Sequence, residues 1–385
     1  MRTFADLQNE LRRRGFYRKA TGRILAELSL LLLLIGVCAA IFFTAEIWWV
    51  RLLAVIFAAV GSVGVSTNSH TSSHYATSDK KWVNEALAFF GYPFINFVSA
   101  HYWWYKHVAG HHPAPNVVGV DTDIDLMPWF TFTREQYEAS PRWRRVWYRL
   151  QGLVIPLVLP FLAAKMQIDG CVYLFRCLRD GKRRRSSHWL DLGLMLLHVA
   201  VWYALPMLFL PASDVLIFNF GRVLAGGVIM FSVFAPAHFP EEAAAVFPST
   251  KPEDFVLLQT ATTVNFRTGL LGRLLCAGVQ YQIEHHLFCS ISHVHYPQVS
   301  KLVEQFCKEN GYPYRSMSWD LALWKTFLSF WKPRTTHGDL EELRLPSSAG
   351  AAPGPVPMTR SAGIEKIHRR PQGLPSLGFG GKIHA

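Results

Sequence analysis

Apolar positions in this chain gather into long unbroken runs, not the three-to-four-residue stripes of surface helices. Leu28 to Val50 is almost wholly apolar, and about 20 helical residues cross a bilayer core. After Arg51 a second apolar run reaches to about Thr67 and ends on His70 and His74. The pattern predicts a membrane hairpin over 28–50 and 52–67 that returns to its starting side. A second hairpin is predicted over 189–210 and 215–235, with the short turn Pro211 to Asp214 between. Ala86 to Ala100 and Gly152 to Ala164 are shorter and broken by proline or glycine, and read as interfacial or re-entrant segments. Counting the second of these as a crossing would put the last histidine pair opposite the others. The expected fold is therefore all-α and integral to the membrane: four transmembrane helices in two hairpins under a cytosolic helical cap. Residues 1–334 form this domain. Residues 335–385, rich in Gly, Pro and Ser without hydrophobic periodicity, are expected to be a disordered tail.

Composition agrees with the patterning. Half the residues are hydrophobic and 17% are charged, a balance that is high for a soluble protein. The net charge of +12 comes from basic residues beside apolar runs, which suits a membrane surface and not nucleic acid. Basic clusters at Arg12 to Arg23 and Lys182 to Arg185 precede the two hairpins. The positive-inside bias then places the start of each hairpin, both termini and the histidine clusters in the cytosol, with the N-terminal run a retained anchor. The six cysteines show no CxxC pair, so neither a disulfide framework nor a thiolate zinc site is expected.

The candidate chemistry lies in histidines. Seven of the sixteen fall in three clusters beside the predicted span ends: His70 and His74; His107, His111 and His112; His285 and His286, with Gln282 three residues upstream. A four-residue spacing stacks two rings on one helix face. The second cluster repeats that spacing and adds an adjacent ring pointing elsewhere, so it suits two metals at once. Burying seven imidazoles at a membrane face is costly unless each is paired or metallated. Imidazole suits iron, copper and zinc alike.

The segments HTSSH at 70–74, HVAGHH at 107–112 and QIEHH at 282–286, with the flanking WWYKHVAGHHPAPN, GVDTDID, QTATTVNF and QIEHHLF, resemble the histidine boxes of the membrane fatty acid desaturase family over roughly Phe4 to Pro333. The glutamine opening the third box is similar to front-end and acyl-lipid members. The resemblance implies two iron ions held by His70, His74, His107, His111, His112, His238, His285 and His286, with Gln282 and Asn265 as weaker candidates. No separate side-chain acid or base is implied. It further implies O2 as oxidant, a lipid acyl substrate, and residence in a multi-pass membrane such as the endoplasmic reticulum. His101 and His198 match no box and read as structural or substrate-lining.

Two departures stand out. Thr71 occupies the place of the usual aspartate after the first histidine, which removes an acceptor that could orient a ligand ring. No HPGG-like haem segment of a fused cytochrome b5 domain is seen, so electrons are expected from NADH through a separate cytochrome b5 and its reductase. Removing hydrogen from an unactivated methylene needs an oxidant that side chains cannot supply. The alternatives to desaturation are a lipid hydroxylase on the same site and a catalytically degenerate lipid-binding membrane protein.

Overall fold

The computed structural model describes residues 2–249 and 254–347. Among the described residues five helices are long and apolar enough to cross a membrane: α2 (Thr21–Thr44), α3 (Trp48–Ser73), α6 (Gln151–Arg179), α7 (Ser186–Met207) and α8 (Ala212–Ala237). Further helices are α1 (Phe4–Arg13), α4 (Lys81–Phe89), α5 (Ala100–Trp103), α9 (Phe255–Ala261), α10 (Leu270–Cys276), α11 (Gln282–Leu287), α12 (Tyr296–Asn310) and α13 (Trp319–Trp331), with two short ones, Arg134–Ala139 and Arg142–Arg149, between α5 and α6. Short strands tie the loops together: β1 (Ala245–Val246) pairs with β4 (Thr336–His337), and β2 (Asn265–Arg267) with β3 (Ser316–Ser318), both parallel.

The first expected hairpin is present with its turn moved back to residues 45–47. Arg51, expected at the turn, lies in the first turn of α3. It forms a 2.7 Å ion pair with Asp214 at the start of α8 and lies over the Phe42 ring, which ties together the two hairpin tips. At the other end α2 extends beyond its apolar run, where Arg23 and Glu27 pair one turn apart.

The number of long apolar helices exceeds the four expected. The addition is α6, whose proline-broken apolar run stops at Ala164. The helix instead continues to Arg179, and Lys165 and Asp169, which interrupt the apolar run, neutralise each other at i,i+4. The helix is bent at Leu159–Phe161, where three residues take the tighter 3-10 form around Pro160. The bend sits against Gly227 of α8, where an added Cβ would lie 2.5 Å from both the Leu159 and Pro160 carbonyl oxygens.

Helices α1, α9, α11 and α12 pack into a cap whose core includes Leu7, Leu11, Leu257, Ile283, Val303 and Phe306. Helix α1 enters it through a capping box, Thr3 and Asp6 exchanging bonds between side chains and backbone. The expected tail begins too early. Thr336–His337 pairs with β1, Leu340 is buried, and Arg344 bonds Asp254 at 2.9 Å. Asp254 also accepts from the Val256 and Leu257 N–H groups that start α9. Composition turns to Gly, Pro and Ser only from Pro346, so residues 336–344 still carry side chains with partners. The rest of the expected tail, 348–385, lies outside the described residues.

The contact at Gly227 is against backbone and cannot be relieved by rotating a side chain. Gly227→Ala should cost about 1–3 kcal/mol and lower the thermal midpoint in detergent. Gly193→Ala, at a position with nothing within 4 Å, should leave it unchanged; equal midpoints for the two variants would contradict the packing.

Candidate metal centre

Four separate chain segments end at one place. Helix α3 brings His70 in its last turn and His74 as its C-cap, with ring centroids 4.9 Å apart. Helix α5 runs into a π-helix, Trp104–His111, that carries the second cluster. A 3-10 turn closing α8, Ala235–Ala237, delivers His238. The short α11 presents His285 and His286 from adjacent positions.

The π-helix decides how the rings are shared. On an α-helix, His107 and His111 would lie on one face with His112 pointing away, as the four-residue spacing suggests. Here the His112 N–H bonds the His107 carbonyl five residues back at 3.1 Å, and this wider turn brings residue 112 over residue 107. Their Nε2 atoms are 3.1 Å apart. His107 and His112 therefore join one group and His111 another, while His107 and His111, the pair expected from spacing, also lie together beside Asp123 in a third grouping.

The first group comprises His70, His74, His107, His112 and His285, with one ligating atom of each within 4.8 Å of the rest. The second comprises His111, His238 and His286 under the same limit. All eight histidines singled out in the sequence are buried and converge here. The Gln282 amide lies 2.8 Å from His238 Nε2 and 3.2 Å from His286 Nε2, within the second group.

The donor set fits metal ions. In the first group consecutive Nε2 atoms are separated by 2.8 Å (His70 to His107), 3.1 Å (His107 to His112) and 3.0 Å (His112 to His285). Adjacent ligands at right angles around an ion, with metal–nitrogen bonds of about 2.1 Å, are about 3 Å apart. His74 Nε2 and Gln282 Oε1 are buried with no hydrogen-bond partner among the described residues, an expense that a cation would remove. Burial first, and neighbouring histidines second, push His107, His112, His285 and His286 well below the usual imidazole range. They are neutral rings with a lone pair to give, the form that binds metal.

Ring orientation is fixed from outside. His111 Nδ1 donates to Asp121 at 2.8 Å, and His286 Nδ1 to the Gln259 side-chain oxygen at 2.8 Å. Asp121, wholly buried, also accepts from the Asn116 and Asp123 N–H groups. Asp123 lies 3.6 Å from His111 and 3.8 Å from His107. Residue spacing does not single out these supports, although GVDTDID and QTATTVNF contain them.

Asn265 is not at the metal groups. Its Oδ1 accepts from the Ile283 N–H at 2.9 Å, and its Nδ2 donates to Glu284 at 2.8 Å and to Tyr314 at 3.0 Å. It anchors the start of α11, and with both amide atoms engaged it corrects the weak expectation of a ligand. Burial raises the neighbouring Glu284 to about 7. Thr71 is also engaged: its hydroxyl meets His293 Nδ1 at 2.9 Å, and His293 Nε2 meets Glu27 at 2.8 Å. The expected loss of an acceptor beside the first cluster is thus replaced by a side-chain chain running to Glu27. His101 and His198 are structural contacts. His101 bridges Asp191 and Ser187 at 2.9 and 3.0 Å, and His198 donates to the Phe94 carbonyl.

Asp121→Asn keeps an acceptor beside His111 but removes its charge. Metal retention by the three-histidine group should fall about 10–100-fold, read as metal per chain after dialysis against a chelator. Retention equal to wild type would show that Asp121 does not support the centre.

Residues 46–318, more than half of the chain, match the profile described as "Fatty acid desaturase". Among similar proteins is the "Delta(5) fatty acid desaturase fat-4" of Caenorhabditis elegans, 28% identical over 66% of this chain and 57% of that protein. The "sn-1 linoleoyl-lipid 6-desaturase" of Synechocystis sp. is 28% identical over 76% of this chain and 82% of its own length. The "Delta(8)-fatty-acid desaturase" of Euglena gracilis is 30% identical over 64% and 59% respectively. The match thus spans less than two thirds of the nematode and Euglena proteins. With the histidines of all three boxes gathered in one buried centre and the family profile spanning them, this chain belongs to the fatty acid desaturase family.

Proposed function

We propose that this chain is a membrane-bound fatty acyl desaturase, and that the observation carrying this reading is the gathering of eight buried histidines into two adjacent groups. His70, His74, His107, His112 and His285 would hold one iron; His111, His238 and His286, with Gln282 beside them, would hold the other. Nitrogen-rich donors with few carboxylates separate this site from the carboxylate-bridged centres of soluble bundles. Bound iron would supply the activation of O2 that abstraction from a methylene requires. The overall change is one acyl CH2–CH2 unit, O2, two electrons and two protons converted to CH=CH and two waters.

The chain's own residues bind, orient and exclude water. Trp103 stacks on His107 at 4.5 Å between centroids, while its indole N–H donates to Ser73. Phe234 meets His70 edge-on, and Tyr92 stacks on Trp103. These rings form an apolar wall beside the first group, a surface against which an acyl chain can lie while water is kept out. Asp121 and Gln259 hold the δ-protons of His111 and His286, leaving the ε-nitrogens as the ligating atoms.

Four crossings and a re-entrant α6 fit this centre best. The His111 and His238 rings are 4.5 Å apart, so an even number of crossings separates them, yet α6, α7 and α8 lie between. Gly152 near the start of α6 packs on Trp331, Gly170 packs on Ser99, and the Pro160 bend reaches Gly227. Gly227 lies ten residues, about 15 Å, up α8 from its histidine end. Helix α6 therefore dips in and returns, leaving the histidines and both termini on the cytosolic side, a topology suited to the endoplasmic reticulum. NADH-derived electrons would come from a separate cytochrome b5-type donor.

Purified protein with reductase, cytochrome b5, NADH and an isotopically labelled acyl lipid should yield an olefin about 2 Da lighter than substrate. His285→Ala and His286→Ala, one from each group, should each abolish it. A product heavier by one oxygen would move the assignment to hydroxylase, and no product from metal-replete protein would move it to lipid binding.

A further inference from the structure

A second site lies on the outer side of the third histidine segment. Strands β2 and β3, helix α10 and residues before α11 enclose a cleft of about 630 Å3, lined by Arg267, Arg273, Gln280, Tyr281, Tyr314 and Ser316 among others. Neither arginine has a carboxylate partner among the described residues. Glu304, the one carboxylate on the lining, is paired with Lys308 at 2.7 Å. Gln280 is nine-tenths buried, its amide oxygen accepts from the Gly278 N–H, and its amide nitrogen has no hydrogen-bond partner among the described residues. The cleft therefore offers donors and positive charge to an occupant.

Its position indicates where that occupant comes from. Helix α10 lies on the histidine ends of α2 and α3: Thr67 bonds the Leu275 carbonyl, and Leu274 packs with Leu28 and Leu31. At the opposite edge Leu270 and Leu271 are each 82% exposed, side by side between the two arginines in sequence. Paired exposed leucines flanked by cations at the end of a span suit the bilayer boundary, with the leucines among acyl chains and the guanidiniums at head-group level.

We propose that this cleft binds the phosphate of an anionic glycerophospholipid, held by Arg267 and Arg273 with Leu270 and Leu271 seated in the adjoining acyl layer. The proposal rests on the membrane placement of α2 and α3 and is independent of the chemistry at the histidines.

Delipidated protein in detergent is titrated with phosphatidylglycerol, phosphatidylcholine, coenzyme A and inorganic phosphate, with binding followed by native mass spectrometry. Phosphatidylglycerol should bind at least tenfold more tightly than phosphatidylcholine. Arg267→Gln with Arg273→Gln should erase that preference while leaving metal content and thermal midpoint at wild-type values. Equal binding of the two lipids, or a preference that survives the double substitution, overturns the proposal. Displacement of phosphatidylglycerol by equimolar coenzyme A or inorganic phosphate also overturns it, by assigning the cleft to a soluble phosphate. Since metal content is read in the same samples, failure here is separable from failure of the iron reading.

Discussion

Eight imidazoles buried against one another are the constraint on which this structure turns. Their nitrogens are removed from water, and a buried acceptor without a partner, as His74 Nε2 is among the described residues, costs about 1–3 kcal/mol. Together they would undermine a marginally stable fold unless a cation satisfies them. The architecture arranges this meeting from four distant parts of the chain. The two hairpins bring His70, His74 and His238 to the same side, the π-helix turns His107 and His112 together, and the cap lowers α11 over both groups.

The supports follow from the same constraint. A neutral histidine that gives its ε-nitrogen to a cation must place its δ-proton elsewhere, and Asp121 and Gln259 accept two of these protons. Asn265 serves one level further out, holding the first turn of α11 so that adjacent residues 285 and 286 face different groups. The chain from Thr71 through His293 to Glu27 joins the end of α3 to the cap and to α2. Cap, hairpins and centre thus share polar contacts and are not merely stacked.

Much of this is legible in the sequence because bilayer crossing and metal ligation leave strong patterns. Long apolar runs mark both hairpins, and the clustered histidines mark seven of the eight rings that converge, His238 coming only from the family resemblance. Hydropathy cannot see that Lys165 and Asp169 cancel each other, so it cuts α6 short. Spacing counted on an α-helix pairs His107 with His111, which do lie together beside Asp123, but misses His107 with His112, because an i,i+5 turn leaves no hydropathy signal. Composition starts the tail too early because Thr336, Leu340 and Arg344 find partners far away in sequence. Asp121 and Gln259 are visible inside the motifs, but their roles depend on which ring they face.

The central claim is that two metal ions are held almost entirely by histidine nitrogen, in unequal groups. Iron K-edge X-ray absorption on purified wild-type protein, with elemental analysis of the same sample, tests it most directly. The account predicts about two irons per chain and a first shell of nitrogen and oxygen near 2.1 Å, with strong imidazole outer-shell scattering and no sulfur. One iron per chain, or a shell dominated by carboxylate or sulfur, would contradict it.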